Sequence, residues 1–350
     1  MRHIPESAYV HISEKKPSFP VTGMLAEYVD HFHRTAPFNL HYDDLLDYQE
    51  SFPMKDAADE DTYWDWVIYP QGEWNEISQE LTNIYAHLKT PDDPTFTNHL
   101  YISRVEYCNF GNSKPFRVRV VNKYNDNHDY YYVKRADASR VYGLELEHIL
   151  APNRIDFLVR GDTLIEEHIA GVPGDVYLKN RNLVKENSRI RVAKEFVKFS
   201  ERCFVKLLGD MRSYNYVVVI TQDFDMDQIR VRAIDFDQQS YEGQLQIYLP
   251  QFYEENQMMV DLVWSVLDAQ TIKQYQKEER NLMARRLKTT WARIDDLLFC
   301  MEQDAVSTPE KTSELAAGLA RFHKDDDFLD IHNMGELTRH HLTTLVTKDQ

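Results

Sequence analysis

In this 350-residue chain a lysine, two glutamates, an aspartate–asparagine pair and a last aspartate pair occur in an order that suits work on phosphate. Lys134 closes the aromatic run Tyr130–Val133, and Glu145 and Glu147 follow in the next apolar stretch. Asp210 and Asn215 stand at D-x-x-x-x-N spacing within Gly209-Asp210-Met211-Arg212-Ser213-Tyr214-Asn215; Asp235 and Asp237 sit in Ile234-Asp235-Phe236-Asp237. Phosphoryl transfer asks for a cation to grip the non-bridging oxygens and a carboxylate to orient the attacking hydroxyl. It also asks for an amide and a carboxylate to hold magnesium, which neutralises charge developing on the β- and γ-phosphates. The D-x-x-x-x-N spacing sets two such groups on one short loop. Each pattern alone is common in an acidic chain, and their joint order carries the meaning.

The elements that must position these residues follow from periodicity and breakers. The first ninety residues read as mostly helical, with Ile77, Leu81, Ile84, Tyr85 and Leu88 at helical spacing and a boundary at Thr90-Pro91-Asp92-Asp93-Pro94. The acidic stretch 56–65 beside Trp64 and Trp66 reads as a solvated helix start. Strands are expected at 99–106, 116–122 and 130–133, then a helix capped by Asp137 or Ser139 and stopped at Pro152, then strands at 155–159 and 163–169. Gly171-Val172-Pro173-Gly174 breaks the pattern. Beyond it come a long helix through Ile190, Val197 and Leu207, a hairpin (216–221 and 229–234), and at least two long helices marked by Met259–Leu267 and Leu287–Met301. The expected fold class is α+β: a small β-rich lobe at 96–172, a larger helical lobe at 173–350, and a helical N-terminal extension at 1–95.

In this order the motifs resemble the protein-kinase-like superfamily, which includes aminoglycoside and choline kinases. The resemblance is carried by Asp210…Asn215, by Ala233-Ile234-Asp235-Phe236-Asp237, by Val133-Lys134 and by Glu166-Glu167-His168-Ile169-Ala170-Gly171, and spans roughly residues 98–300. It implies a bilobal protein-kinase-like fold and an ATP-dependent, Mg²⁺-requiring phosphotransferase acting on a hydroxyl of a small molecule or protein. It gives Lys134 the α/β-phosphates, Asp210 the acceptor hydroxyl and Arg212 the transferring phosphoryl, with Asn215, Asp235 and Asp237 at the metal. Adenine would be read by the main chain of Glu167 and Ile169, with Glu166 at the back of its pocket and Asp175 within reach of a ribose hydroxyl. As partner of Lys134, Glu145 shares a helix face with Val141 and Ile149, whereas Glu147 falls on the Arg140–Gly143 side; Glu145 is preferred. The chain departs from the family in lacking G-x-G-x-x-G (Gly111 stands with Asn112 and Ser113), in having Leu208-Gly209 before Asp210, and in lacking A-P-E after Asp237. A catalytically inactive pseudokinase or scaffold is the alternative, and nucleotidyl transfer a third.

Composition narrows the remaining classes. Forty Lys+Arg against 57 Asp+Glu give a net charge of −17, which argues against general nucleic-acid binding while leaving room for a local basic cleft. Cys108, Cys203 and Cys300 form no knuckle or disulfide framework, no apolar leader is visible, and no run approaches a membrane span, so a cytoplasmic protein without membrane contact is expected. His31/His33 and His340/His341 lack metal-site spacing and read as surface histidines; Asp325-Asp326-Asp327 reads as a solvated loop. Neither G-x-S-x-G nor a Walker A sequence occurs.

Overall fold

The computed structural model describes residues 8–12, 15–56, 58–90, 96–110, 113–180, 188–224 and 227–347. The expected boundary at Pro91–Pro94 and the Gly111-Asn112 turn lie outside them. The protein is mixed α and β, with an antiparallel sheet in its N-terminal half and helices in its C-terminal half. In chain order, α1 (Gly23–His31), β1 (Glu50–Lys55), β2 (Asp61–Ile68), α2 (Gln71–Lys89), β3 (Leu100–Cys108), β4 (Phe116–Asn122) and β5 (His128–Arg135) lead to α3 (Ala138–Leu150). Then follow β6 (Phe157–Arg160), β7 (Thr163–Glu167), β8 (Val172–Pro173), α4 (Gly174–Lys179), α5 (Arg189–Lys206), β9 (Tyr216–Thr221) and β10 (Gln228–Ala233). The described residues end with α6 (Gln257–Val266), α7 (Ala269–Thr289), α8 (Trp291–Gln303), α9 (Pro309–His323) and α10 (Met334–Thr347). No helix among the described residues is long and apolar enough to cross a membrane.

Two compact units emerge, and they are drawn differently from the expected lobes. A sheet unit comprises Pro20–Asp137 and Ile155–His168; a helical unit comprises Met1–Phe19, Ala138–Arg154 and Ile169–Gln350. Residues 20–90 therefore belong to the body of the sheet unit instead of forming a separate helical extension. In the acidic stretch 56–65, residues 61–65 belong to β2, which pairs with β1 as a hairpin, and start no helix. Tyr63, Trp64 and Trp66 supply the aromatic β-preference that outweighs the acidic composition.

Within the sheet unit the seven strands run in the order β1-β2-β3-β4-β5-β7-β6. Period-two alternation makes one face apolar: Phe116, Val118 and Val120 of β4 and Tyr131 and Val133 of β5 are buried, while Arg117, Arg119, Tyr130 and Tyr132 take the other face. Against the apolar face packs α2, through Ile77, Leu81, Ile84, Tyr85 and Leu88, the spacing expected from sequence. Each such side chain contributes about 1.5–3 kcal/mol when fully buried. On the opposite face the register lines up Trp66, Glu106, Arg117, Tyr132, Glu166 and Phe157 as one rung across six strands. Glu106 is fully buried there and is matched by Arg104 and Arg117, as a desolvated carboxylate requires.

In the helical unit, α5 contacts α6, α7 and β10, and β8 extends the β9–β10 hairpin to three strands. Buried charge is again paired, Arg202 with Glu279 at 3.0 Å and Lys206 with Glu147. The histidine expected at the surface in α10 is not there. His341 shares its face with Leu337 and Leu345 at i±4 and is completely buried. Its Nε2 donates to the Phe204 carbonyl (2.9 Å), leaving Nδ1 to accept from His323 Nε2 at 3.0 Å.

Burial, opposed by the Phe204 carbonyl, drops the His341 pKa to about 3. The unfolded chain takes up the same proton near ~6.5. Stability is thus fully present above that value and is lost as pH falls from it towards 3. The melting temperature is expected to decline between about pH 7 and about pH 5, and to decline less in His341→Gln, whose amide can still donate to Phe204. Equal slopes in thermal melts of the two proteins would contradict this assignment.

Candidate functional site

The helical unit assembles Asp210, Arg212, Asn215, Asp235 and Asp237 through two segments that flank one hairpin. Asn215 immediately precedes β9 and Ile234 immediately follows β10; Tyr216 pairs with Ala233, and Ile234 N–H donates to the Asn215 carbonyl at 3.0 Å. Past this end the two segments pair again. Leu208 bridges Gln239, Gly209 N–H donates to the Gln238 carbonyl (3.0 Å), and Ser240 N–H donates to the Leu207 carbonyl (2.9 Å). A Cβ on Gly209 would lie 2.9 Å from Ile247 and 3.1 Å from the Gln238 carbonyl, so only glycine permits this approach.

Asp210 has a left-handed backbone (φ 57), a conformation that costs a non-glycine residue roughly 1–3 kcal/mol. Its surroundings fix it. Its N–H donates to the Tyr253 hydroxyl (2.9 Å), which in turn donates to the Ile247 carbonyl (2.8 Å). Asn215 Nδ2 donates to the Asp210 carbonyl at 2.7 Å and lies 3.3 Å from its Oδ2. Arg212 Nε meets Asp210 Oδ1 at 2.9 Å while Nη1 meets Glu255 at 3.2 Å. Behind the loop, Asn256 donates to the carbonyls of Met211 and Pro250 and accepts from Tyr216. Burial is the largest influence on the Asp210 carboxyl and pushes its pKa up to about 6; Arg212 works against the shift, and Asp235 and Glu255 add to it.

The second segment carries its own cations. Arg140 Nη2 lies 3.5 Å from Asp235 and 3.3 Å from Asp237, and Lys16 lies 3.8 Å from Asp237. Arg140 reaches them because α3 runs close to this segment at Gly143, where a Cβ would sit 3.1 Å from Phe236 Cβ and 3.2 Å from Gln239 Cβ. Asp237 is 18% exposed and held by these cations; Asp235 is 38% exposed. Asp235 Oδ1 accepts the Asp237 N–H at 3.1 Å and faces Arg140, leaving Oδ2 as its open oxygen. Asn215, whose Nδ2 is spent on Asp210, offers Oδ1. Among the described residues no three His, Cys, Asp or Glu side chains converge as a metal-binding group. Mg²⁺ binds through one or two protein carboxylates, with water and phosphate completing its shell. Asn215 Oδ1 with Asp235 Oδ2 fits that hard-oxygen requirement.

The chain matches no known protein-family model. It also matches none of the curated protein sequences.

The remaining expected residues each have partners in their own units. In the sheet unit, Lys134 pairs with Glu166 at 2.6 Å, and the Glu167 N–H donates to Asp156 while its carboxylate meets Lys89 at 3.3 Å. In the helical unit Ile169 is buried, Glu145 pairs with Arg293 of α8 and Glu147 with Lys206 of α5. The i±4 face chosen for Glu145 is thus met by α8, a helix whose position no local spacing predicts. Asp175, in the first turn of α4, pairs with Lys179 at 3.8 Å. Sequence reasoning missed Arg140, Lys16, Tyr253 and Asn256. Only Arg140 left a signal, as a cation on the Gly143 side of α3.

Carboxyl-detected NMR of the protein labelled at aspartate should find Asp210 titrating near 6. Asp235→Asn should move that titration down by removing a nearby negative charge, and Arg212→Gln should move it up. Shifts of the opposite sign would contradict the electrostatics described.

Proposed function

We propose that the protein is a magnesium-dependent phosphotransferase of kinase-like character, with ATP as donor and a hydroxyl of a small molecule or protein as acceptor. The observation that carries this reading is the Asp210–Asn215 loop. The Asn215 amide nitrogen ties down the backbone of a raised-pKa carboxylate, while the Asn215 main-chain carbonyl accepts from the Ile234 N–H, one residue before Asp235. The succession β3, β4, β5, α3, β6, β7 supports it too, because it sets Lys134 near the end of a strand and Glu145 and Glu147 on the helix that follows, as the resemblance implies.

In this reading Asp210 orients the acceptor hydroxyl and takes its proton as the phosphoryl group moves, a role suited to a carboxylate that titrates near 6. Arg212, anchored by Asp210 and Glu255, sets positive charge beside the transferring group. Asn215 and Asp235 hold Mg²⁺, and Asp237 steadies that loop through Arg140 and Lys16. When bound, the metal supplies electrostatic stabilisation of the phosphate oxygens. The resemblance gives Lys134 phosphate oxygens and the Glu167 and Ile169 main chain the base.

One observation favours a second reading, a nucleotide-binding or scaffold protein without turnover: Arg140 and Lys16 already supply positive charge to the acidic pair. Mutants separate the two. Mg²⁺ with ATP should raise the melting temperature, since a ligand at ~100 times its Kd adds about 2.7 kcal/mol. Asp235→Asn should lose both the shift and turnover. Asp210→Asn should keep the shift and lose turnover by at least about a hundredfold, and wild-type turnover should fall away below a pH of about 6. Binding without turnover on any acceptor, the protein itself included, would select the second reading; a flat melting curve would overturn both.

A further inference from the structure

Positive charge gathers at one place in the helical unit, although the chain as a whole carries −17. The first half of α5 holds Arg189, Arg191 and Lys194 against the single acid Glu195, and β10 adds Arg230 and Arg232. Arg191, Lys194, Glu195, Gln228, Ile229 and Arg230 line a groove of about 270 Å³. Arg191 Nη1 donates to the Asp227 carbonyl at 3.4 Å, and Arg230 Nη1 donates to Asn153 Oδ1 at 3.2 Å. Both acceptors are neutral, so they fix the guanidinium planes without cancelling their charge. A guanidinium has five N–H donors, and the rest of each fork suits two phosphate oxygens. Lys194 is steadied over the Tyr275 ring at 5.1 Å. Burial pushes the Glu195 carboxyl pKa up, against the pull of Arg202, Lys198 and Arg230.

We propose that this groove is a binding site for a small phosphate-bearing molecule, a phosphomonoester or a diphosphate. None of its residues lies in 207–215 or 234–240, the two segments that carry the candidate site. Its volume of about 270 Å³ lies just below the roughly 300–1,000 Å³ of drug-sized ligand pockets, which suits a small anion. An extended polyanion would need a longer basic track, and α5 supplies none: Lys198 is matched by Glu278 and Glu279, Arg202 by Glu279, and Glu201 meets Arg280.

Calorimetric titration of the full chain with inorganic pyrophosphate, in EDTA, tests the proposal. Saturable binding is expected, weakened at least about tenfold in the double variant Arg191→Ala/Arg230→Ala and unchanged in Asp235→Asn. Should the double variant melt early, Lys194→Glu reverses one charge on the groove and should cause a similar loss. No saturable binding to wild type, or equal affinity in the groove variants, would overturn the site. Loss of binding in Asp235→Asn alone would relocate the anion to the candidate catalytic segments. Displacement of pyrophosphate by a single-stranded oligonucleotide that binds more tightly would replace the small-molecule pocket with a nucleic-acid surface.

Discussion

The hydrogen bond from Ile234 N–H to the Asn215 carbonyl closes the end of the β9–β10 hairpin from which the candidate site is built. Register gives that bond its importance. With Tyr216 opposite Ala233, Asn215 lies one residue outside β9 and Asp235 two residues outside β10, the amide and the carboxylate proposed to share a metal. A slip of one residue would turn Asp235 to the other side of the hairpin. The second ladder, Leu207–Gly209 against Gln238–Ser240, fixes the outer ends of both segments, so neither swings independently. Each backbone bond contributes only about 0.5–1.5 kcal/mol. Together they hold Asp210 in its left-handed conformation.

Charge balance follows from that closure. Asp210, Asp235, Asp237 and Glu255 are gathered with Arg212, Arg140 and Lys16, because carboxylates partly withdrawn from water need cations close by. The cations are divided unequally. Asp237 takes most of the fixed charge and becomes part of the frame, while Asp235 keeps an open oxygen. Asp210, more buried than Asp235 and near it, is left with a pKa near 6, the value at which a carboxyl is both ionised at neutral pH and basic enough to accept a proton.

Much of this was legible in the sequence. The strands and helix from 100 to 167, the long α5 and the β9–β10 hairpin lie where periodicity and breakers put them, because strong alternation and Gly-Pro punctuation are local signals. Misreadings arose where distant packing decides. Acidic residues masked an aromatic β-hairpin at 50–68. The face of α3 bearing Glu145 proved to meet Arg293, and His341 lay on an apolar helix face that its paired spelling with His340 concealed. Among site residues, those within one loop were visible as spacing. Tyr253, Asn256 and Lys16 were not, since they reach Asp210, Met211 and Asp237 across long stretches of chain with no motif to announce them.

The central claim is that Asn215 and Asp235 share one divalent metal at the hairpin's closed end. Oxidative affinity cleavage tests it directly: Fe²⁺ replaces Mg²⁺ in the presence of ADP, ascorbate and peroxide start radical production, and mass spectrometry maps the backbone cuts. The cuts should cluster in residues 210–215 and 235–237 and disappear in Asp235→Asn. Cleavage confined to other parts of the chain, or an identical pattern in Asp235→Asn, would contradict the account.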